Sequence, residues 1–213
     1  ADATLVLDTG GRYRFGKVTI EQDAINPELL ERFVRFTEGE PFSSVVIHST
    51  QFALEDSFFF STVSVTPGER DPQTLTVPVT IRAERIKRDR YAASAGFGTD
   101  TGPRGQFAWD RRLVNDAGHR WRLQTTLSKV LGDATASYII PIGDPSLEKL
   151  EFSAGYVNQT LGGLESERYE IASGITQSLG HWQRVLFLQL SQELTKFPDS
   201  EDTRSLLLIP GIS

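Results

Sequence analysis

Arg120-Trp121-Arg122-Leu123-Gln124-Thr125-Thr126-Leu127 sets Trp121, Leu123 and Leu127 against Arg120, Arg122 and Gln124, apolar and polar at alternate residues. Successive side chains of a strand point to opposite faces, so this pattern describes a wall with lipid on one side and water on the other. The same two-residue repeat runs from Tyr91 onward, broken by short polar turns. It predicts strands near 91–98, 105–113, 119–129, 133–141, 149–160, 167–178, 182–196 and 204–210. Each approaches or exceeds the roughly nine to eleven residues that a tilted strand needs to cross a bilayer. Before residue 90 the pattern is mixed helix and strand. The expected fold class is thus an α+β domain of order β-α-α-β-β followed by an all-β region of about eight antiparallel strands.

Composition narrows the reading further. The 213 residues are 38% hydrophobic and 10% aromatic, enough for a core, and the mean hydropathy of -0.26 suits strands that are polar on every second residue. No apolar run approaches the eighteen or so residues of a spanning helix, so any crossing must be made by strands in a barrel, because lipid cannot hydrogen-bond to free backbone groups. A net charge of -6 argues against nucleic acid as the main partner. Cysteine is absent, which removes disulfides and thiolate metal sites. Methionine is absent even at position 1, and the chain reads as an excised segment of a longer exported precursor.

In the first 90 residues, 3–7 and 15–20 read as strands around Gly10 and Gly11. Asn26-Pro27-Glu28 supplies a helix start: a capping side chain, a proline at the first helical position and an acid where the macrodipole favours it. Leu29, Leu30, Phe33 and Phe36 follow at helical spacing, with Gly39 as the expected stop. Ser43 or Ser44 can cap a second helix, with Val46, Ile47, Phe52, Ala53 and Leu54 facing inward. Strands at 59–66 and 75–81 flank the turn-rich loop 67–72.

Gly11-Arg12-Tyr13-Arg14-Phe15-Gly16-Lys17-Val18-Thr19-Ile20, the helix pair and Phe58-Phe59-Phe60-Ser61-Thr62-Val63-Ser64-Val65 resemble a POTRA domain of the outer-membrane assembly factors, the bacterial surface antigen superfamily. Where such domains often carry Gly-Tyr-Phe, this chain has Ser57-Phe58-Phe59, so the helix end lacks its usual glycine. The segment from Tyr91 to Gly105 is similar to the first barrel hairpin of the TamA-like members, the translocation and assembly module, and favours them over the BamA-like ones. The resemblance implies the end of a preceding POTRA at 1–9, a membrane-proximal POTRA at 10–84, a linker at 85–90 and the N-terminal part of an outer-membrane β-barrel at 91–213. It also implies about sixteen strands in a complete wall, so that about half is missing here.

What the resemblance implies for function is a non-enzymatic outer-membrane assembly or insertion factor with its POTRA domain in the periplasm of a Gram-negative cell. Its partners would be outer-membrane lipid, nascent outer-membrane or autotransporter chains and an inner-membrane-anchored TamB-like protein, with no cofactor. Two strand edges are candidate client sites. One is a lateral-gate strand carrying Tyr91, Ala93, Ala95 and Phe97, whose small neighbours weaken pairing. The other is a POTRA edge strand carrying Phe60, Thr62, Val63, Ser64 and Val65. The alternative is a two-partner secretion pore, or a POTRA-barrel anchor for a fused enzyme such as a patatin-like lipase; a soluble β-rich binding module is the third reading.

Trp109, Trp121 and Trp182 lie toward one set of turns and suggest an aromatic belt at a membrane interface; the competing view is a soluble sandwich core. The run Arg85-Ile86-Lys87-Arg88-Asp89-Arg90 is either a solvated linker or a basic collar for anionic headgroups. His48, His119 and His181 are too scattered to ligate a metal. No nucleophile elbow or phosphate loop is present; Gly96-Phe97-Gly98 suits a tight hairpin and no helix follows it.

Overall fold

The computed structural model describes residues 11–99, 102–197 and 201–213. The expected strand at 3–7 and the preceding-domain reading of 1–9 lie outside them. The chain forms two compact units: residues up to Ala24 with Phe33–Arg85, and Ile25–Arg32 with Ile86–Ser213.

The first unit is built on a three-stranded sheet of β1 (Arg14–Glu21), β2 (Phe60–Pro67) and β3 (Thr76–Arg85), ordered β1-β3-β2. β3 is central, parallel to β1 and antiparallel to β2. Its Val77, Val79, Ile81 and Ala83 alternate into the core, the period a half-buried strand requires. Over them lie Phe15, Phe33, Leu54 and Phe59, all nearly inaccessible; each such side chain contributes about 1.5–3 kcal/mol by leaving water.

The first helix is shorter than its spacing predicts. Asn26 caps it as expected, its Oδ1 accepting from the Leu29 N–H at 2.7 Å with Pro27 at the first position, but α1 covers only Pro27–Glu31. Phe33 and Phe36 leave the helix because better partners lie elsewhere. Phe36 stacks on Phe15 at 4.1 Å, and Phe33 meets Phe59 edge-on at 6.1 Å. Gly39 is therefore no helix stop. At φ 88 it turns the chain back onto β1, where Gly39 N–H donates to Phe15 O, and Phe15 N–H to Glu40 O.

In α2 (Ser44–Glu55) the buried stripe is Ile47, Thr50, Ala53 and Leu54, with Val46 half-buried and Phe52, expected inside, 68% exposed. Phe52 lies two residues from Thr50, about 200° around the helix and so on the far side. Ser43 occupies the cap position without a side-chain bond. At the other end Ser57 replaces the absent glycine: its Oγ donates to Leu54 O at 2.6 Å and accepts from Phe59 N–H at 3.3 Å, while Phe58 takes the left-handed turn at φ 66.

The second unit is an eight-stranded antiparallel sheet of β4 (Asp89–Gly98), β5 (Gly102–Arg111), β6 (Arg120–Ser128), β7 (Leu131–Pro141), β8 (Lys149–Leu161), β9 (Leu164–Leu179), β10 (Trp182–Lys196) and β11 (Thr203–Ile212). Every strand pairs with its sequence neighbours and no register shift interrupts the meander. β8 joins β9 through Gly162 and Gly163 at φ 58 and 85, the signs that a two-residue primed turn needs. The strand pattern expected from alternation is present. Its first strand begins at Asp89 and β3 runs to Arg85, so only 86–88 connect them where a linker at 85–90 was expected. Asn26 N–H donates to Asp116 O and Arg32 Nε to Gly143 O, which ties the 25–32 segment to two turns of this unit.

The register sorts side chains onto two faces. One carries Tyr91, Phe107, Trp109, Trp121, Leu123, Tyr138, Phe152, Tyr156, Tyr169, Ile171, Leu186, Leu188, Leu190, Leu206 and Leu208. The other carries Asp110 and Arg122 joined at 2.7 Å, Arg168 beside Glu170 at 2.9 Å, and a recess of about 560 Å³ lined by Lys149, Glu151, Ser153, Thr176 and Gln183. On β10 the apolar face runs from Leu186 to Leu194; at roughly 3.4 Å per residue and a tilt near 40° that is about 20 Å of height, close to the hydrocarbon band of a barrel.

Two outcomes follow for the 10–84 span expressed alone. It should unfold in one cooperative thermal transition, and Ser57→Ala, which leaves Leu54 O only its bond from the Ser57 N–H and takes the acceptor from the buried Phe59 amide, should cost about 1–3 kcal/mol and lower the midpoint by at least about 4 °C. An unchanged midpoint would remove Ser57 from the account of this helix end. The hydrogen bond from Arg82 holds the Glu21 carboxyl below its ordinary 4.5, so the pair stabilises the fold above that value and is lost as pH falls through the lowered one. Glu21→Gln should accordingly make the acid side of the stability profile shallower, an effect readable from midpoints between pH 5 and pH 3 and reduced by salt.

Candidate functional site

An antiparallel strand alternates: one residue exchanges backbone bonds with its neighbour, and the next presents N–H and C=O to the other side. Backbone bonds at the strand ends fix that phase for each open edge. Arg112 N–H donates to Arg88 O, so Arg90, Ala92, Ser94, Gly96 and Gly98 bond to β5. Asp89, Tyr91, Ala93, Ala95 and Phe97 therefore present their backbone to the unpaired side of β4. The four predicted gate residues are in this set, and their side chains share the apolar face. Tyr91 and Phe97 are 63% and 77% exposed.

The opposite edge differs. Val185 and Ser213 exchange both bonds, so Arg204, Leu206, Leu208, Pro210 and Ile212 face the unpaired side of β11. Pro210 has no N–H, so the ladder on offer there is broken, whereas the free side of β4 carries no proline. This asymmetry escaped the sequence reading. The proline was visible, but the side of the strand it faces depends on long-range register.

In the first unit β2 lies at the sheet edge. Gly68 N–H donates to Pro78 O, which sets Thr62, Ser64 and Thr66 bonding to β3 and leaves the backbones of Val63 and Val65 on the unpaired side. Phe60, Val63 and Val65 are buried core side chains, while those of Thr62 and Ser64 are exposed. The five predicted residues thus divide: Val63 and Val65 offer hydrogen bonds and no side chain, and Thr62 and Ser64 the reverse.

Trp109 and Trp121 stand near the ends of β5 and β6 beside turn 115–118, and Trp182 opens β10 beside turn 180–181. These turns lie at one rim of the up-and-down sheet, and all three indoles are on the apolar face. Trp109 Nε1 donates to Asp89 Oδ1 at 2.8 Å, and its ring stacks near Tyr91 at 6.2 Å with 14° between planes. His119 Nδ1 is 2.8 Å from Tyr138 Oη, and among the described residues no group of three or more His, Asp or Glu is placed to hold a metal ion. Trp109→Phe removes a hydrogen bond to a charged acceptor and should lower barrel stability by about 1.5–3 kcal/mol, read as a lower temperature for the gel-mobility shift of the folded barrel. An unshifted transition would show that Asp89 needs no indole partner.

Comparison with known proteins agrees with this architecture. Residues 13–84 match the POTRA family, described as surface antigen variable number repeat. BamA from Haemophilus ducreyi lacking POTRA domains 1-3 superposes with a TM-score of 0.72 at 14% identity, over 96% of this chain and 44% of that one. CdiB from Acinetobacter baumannii gives 0.60 at 14% identity, over 92% and 42%, and CdiB from Escherichia coli gives 0.58 at 11%, over 92% and 40%. The chain spans less than half the length of each of these structures. Residues 13–84 are a POTRA domain, and the chain as a whole shares the fold of these BamA and CdiB structures.

Proposed function

We propose that this chain is a segment of a non-enzymatic outer-membrane assembly factor, with its POTRA domain in the periplasm and the free edge of β4 as the strand that receives clients. One observation carries the reading. β4 offers an uninterrupted row of backbone donors and acceptors at Asp89, Tyr91, Ala93, Ala95 and Phe97, on the same face as the apolar band. An unfolded outer-membrane strand has unsatisfied amides and carbonyls that lipid cannot serve, and such an edge satisfies them one at a time. Ala93 and Ala95 limit cross-strand packing, so a strand added there can also leave. The POTRA edge, through Val63 and Val65, is the second receiving strand. The finer placement among TamA-like factors rests on the hairpin from Tyr91 to Gly105, and with it come autotransporter clients and a TamB-like partner.

The second reading is a two-partner secretion pore, favoured by the likeness to CdiB and by a polar face that would line a channel. A barrel anchoring a fused enzyme uses the same wall. Proteoliposomes holding the full-length protein separate them. Insertion of an unfolded outer-membrane barrel above the rate of empty vesicles supports assembly, and release of a soluble exoprotein across the vesicle wall without insertion supports secretion. Ala93→Val with Ala95→Val should strengthen pairing at β4 by up to about 1 kcal/mol per site and slow insertion while leaving the protein folded. A disulfide locking β4 to the strand that closes on it should abolish insertion, and a locked protein that inserts clients at the normal rate would overturn the gate.

A further inference from the structure

All three tryptophans of the chain stand beside an arginine on the apolar face at the same rim. Trp109 and Arg111 are two residues apart on β5, Trp121 stands directly opposite Arg111 in the register, and Trp182 is two residues from Arg184 on β10. Neither arginine is closely ion-paired. Arg111 Nη1 is 3.9 Å from Asp89 Oδ1, an oxygen already taken by the Trp109 indole, and Arg184 Nη2 donates to the neutral Gln177 Oε1 at 2.5 Å. Arg184 Nε is buried and makes no hydrogen bond among the described residues, so an outside ligand has only the terminal nitrogens of this guanidinium to bind. On the polar face, by contrast, Arg122 closes on Asp110 at 2.7 Å. At the opposite rim the apolar face carries Glu165 and Glu167, and Lys196 is bound to Glu167 at 2.9 Å.

A guanidinium with free donors at the edge of an apolar band suits a phosphate diester, which accepts two parallel N–H bonds, and an indole beside it suits the boundary between headgroup and acyl chain. We infer that the rim bearing turns 115–118 and 180–181 binds the phosphate of anionic phospholipid headgroups through Arg111 and Arg184, with Trp109, Trp121 and Trp182 seated at the glycerol level. The inference rests on the membrane-barrel reading and adds to it a lipid class and a side. An anionic leaflet contributes about 1 kcal/mol per surface arginine, roughly a fivefold preference each.

The test uses the full-length protein in vesicles of phosphatidylcholine containing one-fifth phosphatidylglycerol, with either lipid brominated on its acyl chains in turn. Tryptophan quenching then reports which lipid neighbours the indoles. The wild type should favour phosphatidylglycerol by about twenty-fivefold, Arg184→Gln should reduce that preference to about fivefold, and Arg111→Gln with Arg184→Gln should bring it to about one. Arg204→Gln, at the other rim, should leave it unchanged. The gel-mobility shift of the folded barrel confirms that each variant is assembled. A double variant that keeps its preference would overturn the headgroup site while leaving the barrel intact. Tryptophans in this segment that neither brominated lipid quenches would overturn the site together with the membrane reading.

Discussion

On the membrane-barrel reading proposed above, no water is available to a peptide group inside the bilayer, and that single deficit organises the strand unit. Each N–H and C=O must find a partner in the protein, so strands meander in unbroken register and most of the large apolar side chains take the same face. In an antiparallel strand, hydrogen-bonding side and side-chain face alternate together. The residues of β4 and β11 that hold unpaired backbone are therefore also those whose side chains meet the apolar face. Any strand adding to either edge places its bonded residues outward as well. Satisfaction of the backbone and exposure on the apolar face are one choice.

The two edges answer that constraint differently. β4 is rich in Ala, Ser and Gly and keeps every donor, so its pairing is complete in hydrogen bonds and poor in side-chain packing. β11 is rich in leucine on both faces and lacks one donor at Pro210, so its pairing is strong in packing and interrupted in the ladder. A strand that exchanges partners needs directionality from hydrogen bonds without deep packing, a combination that β4 has. In the POTRA unit the phase is reversed. Val63 and Val65 offer backbone outward while their side chains anchor the core, so a strand added to β2 would be held by a segment that cannot shift without opening the domain.

Strain and charge are placed with similar economy. The one sharp departure from ordinary backbone near the second helix, Phe58 at φ 66, is stabilised by a serine that serves a carbonyl and an amide at once. In the strand unit Arg122 and Arg168 on the polar face meet carboxylates at 2.7 and 2.9 Å, and Arg111 and Arg184 on the apolar face at the tryptophan rim are left with a distant carboxylate or a neutral partner. A charge facing a lumen can be closed internally. On the headgroup inference, the counter-ion of Arg111 and Arg184 lies outside the protein.

Local features were legible in the chain itself. The two-residue alternation from Tyr91 onward is a property of each strand alone, so strand positions, their number and the apolar parity of Trp109, Trp121 and Trp182 could be read without a structure, as could the Asn26-Pro27 helix start. Features that depend on a distant partner could not. Phe33 and Phe36 hold helical spacing, yet their contacts with Phe59 and Phe15 ended the helix at Glu31, because stacking across the core outweighs a few residues of helix propensity. Phe52 was apolar in the sequence and faces outward because the stripe is fixed by Ile47, Thr50 and Leu54 packing on the sheet. Which edge residues carry free hydrogen bonds, that Pro210 faces the open side, and that Arg111 stands opposite Trp121 were all decided by register, a relation between residues far apart in the chain that no local pattern encodes.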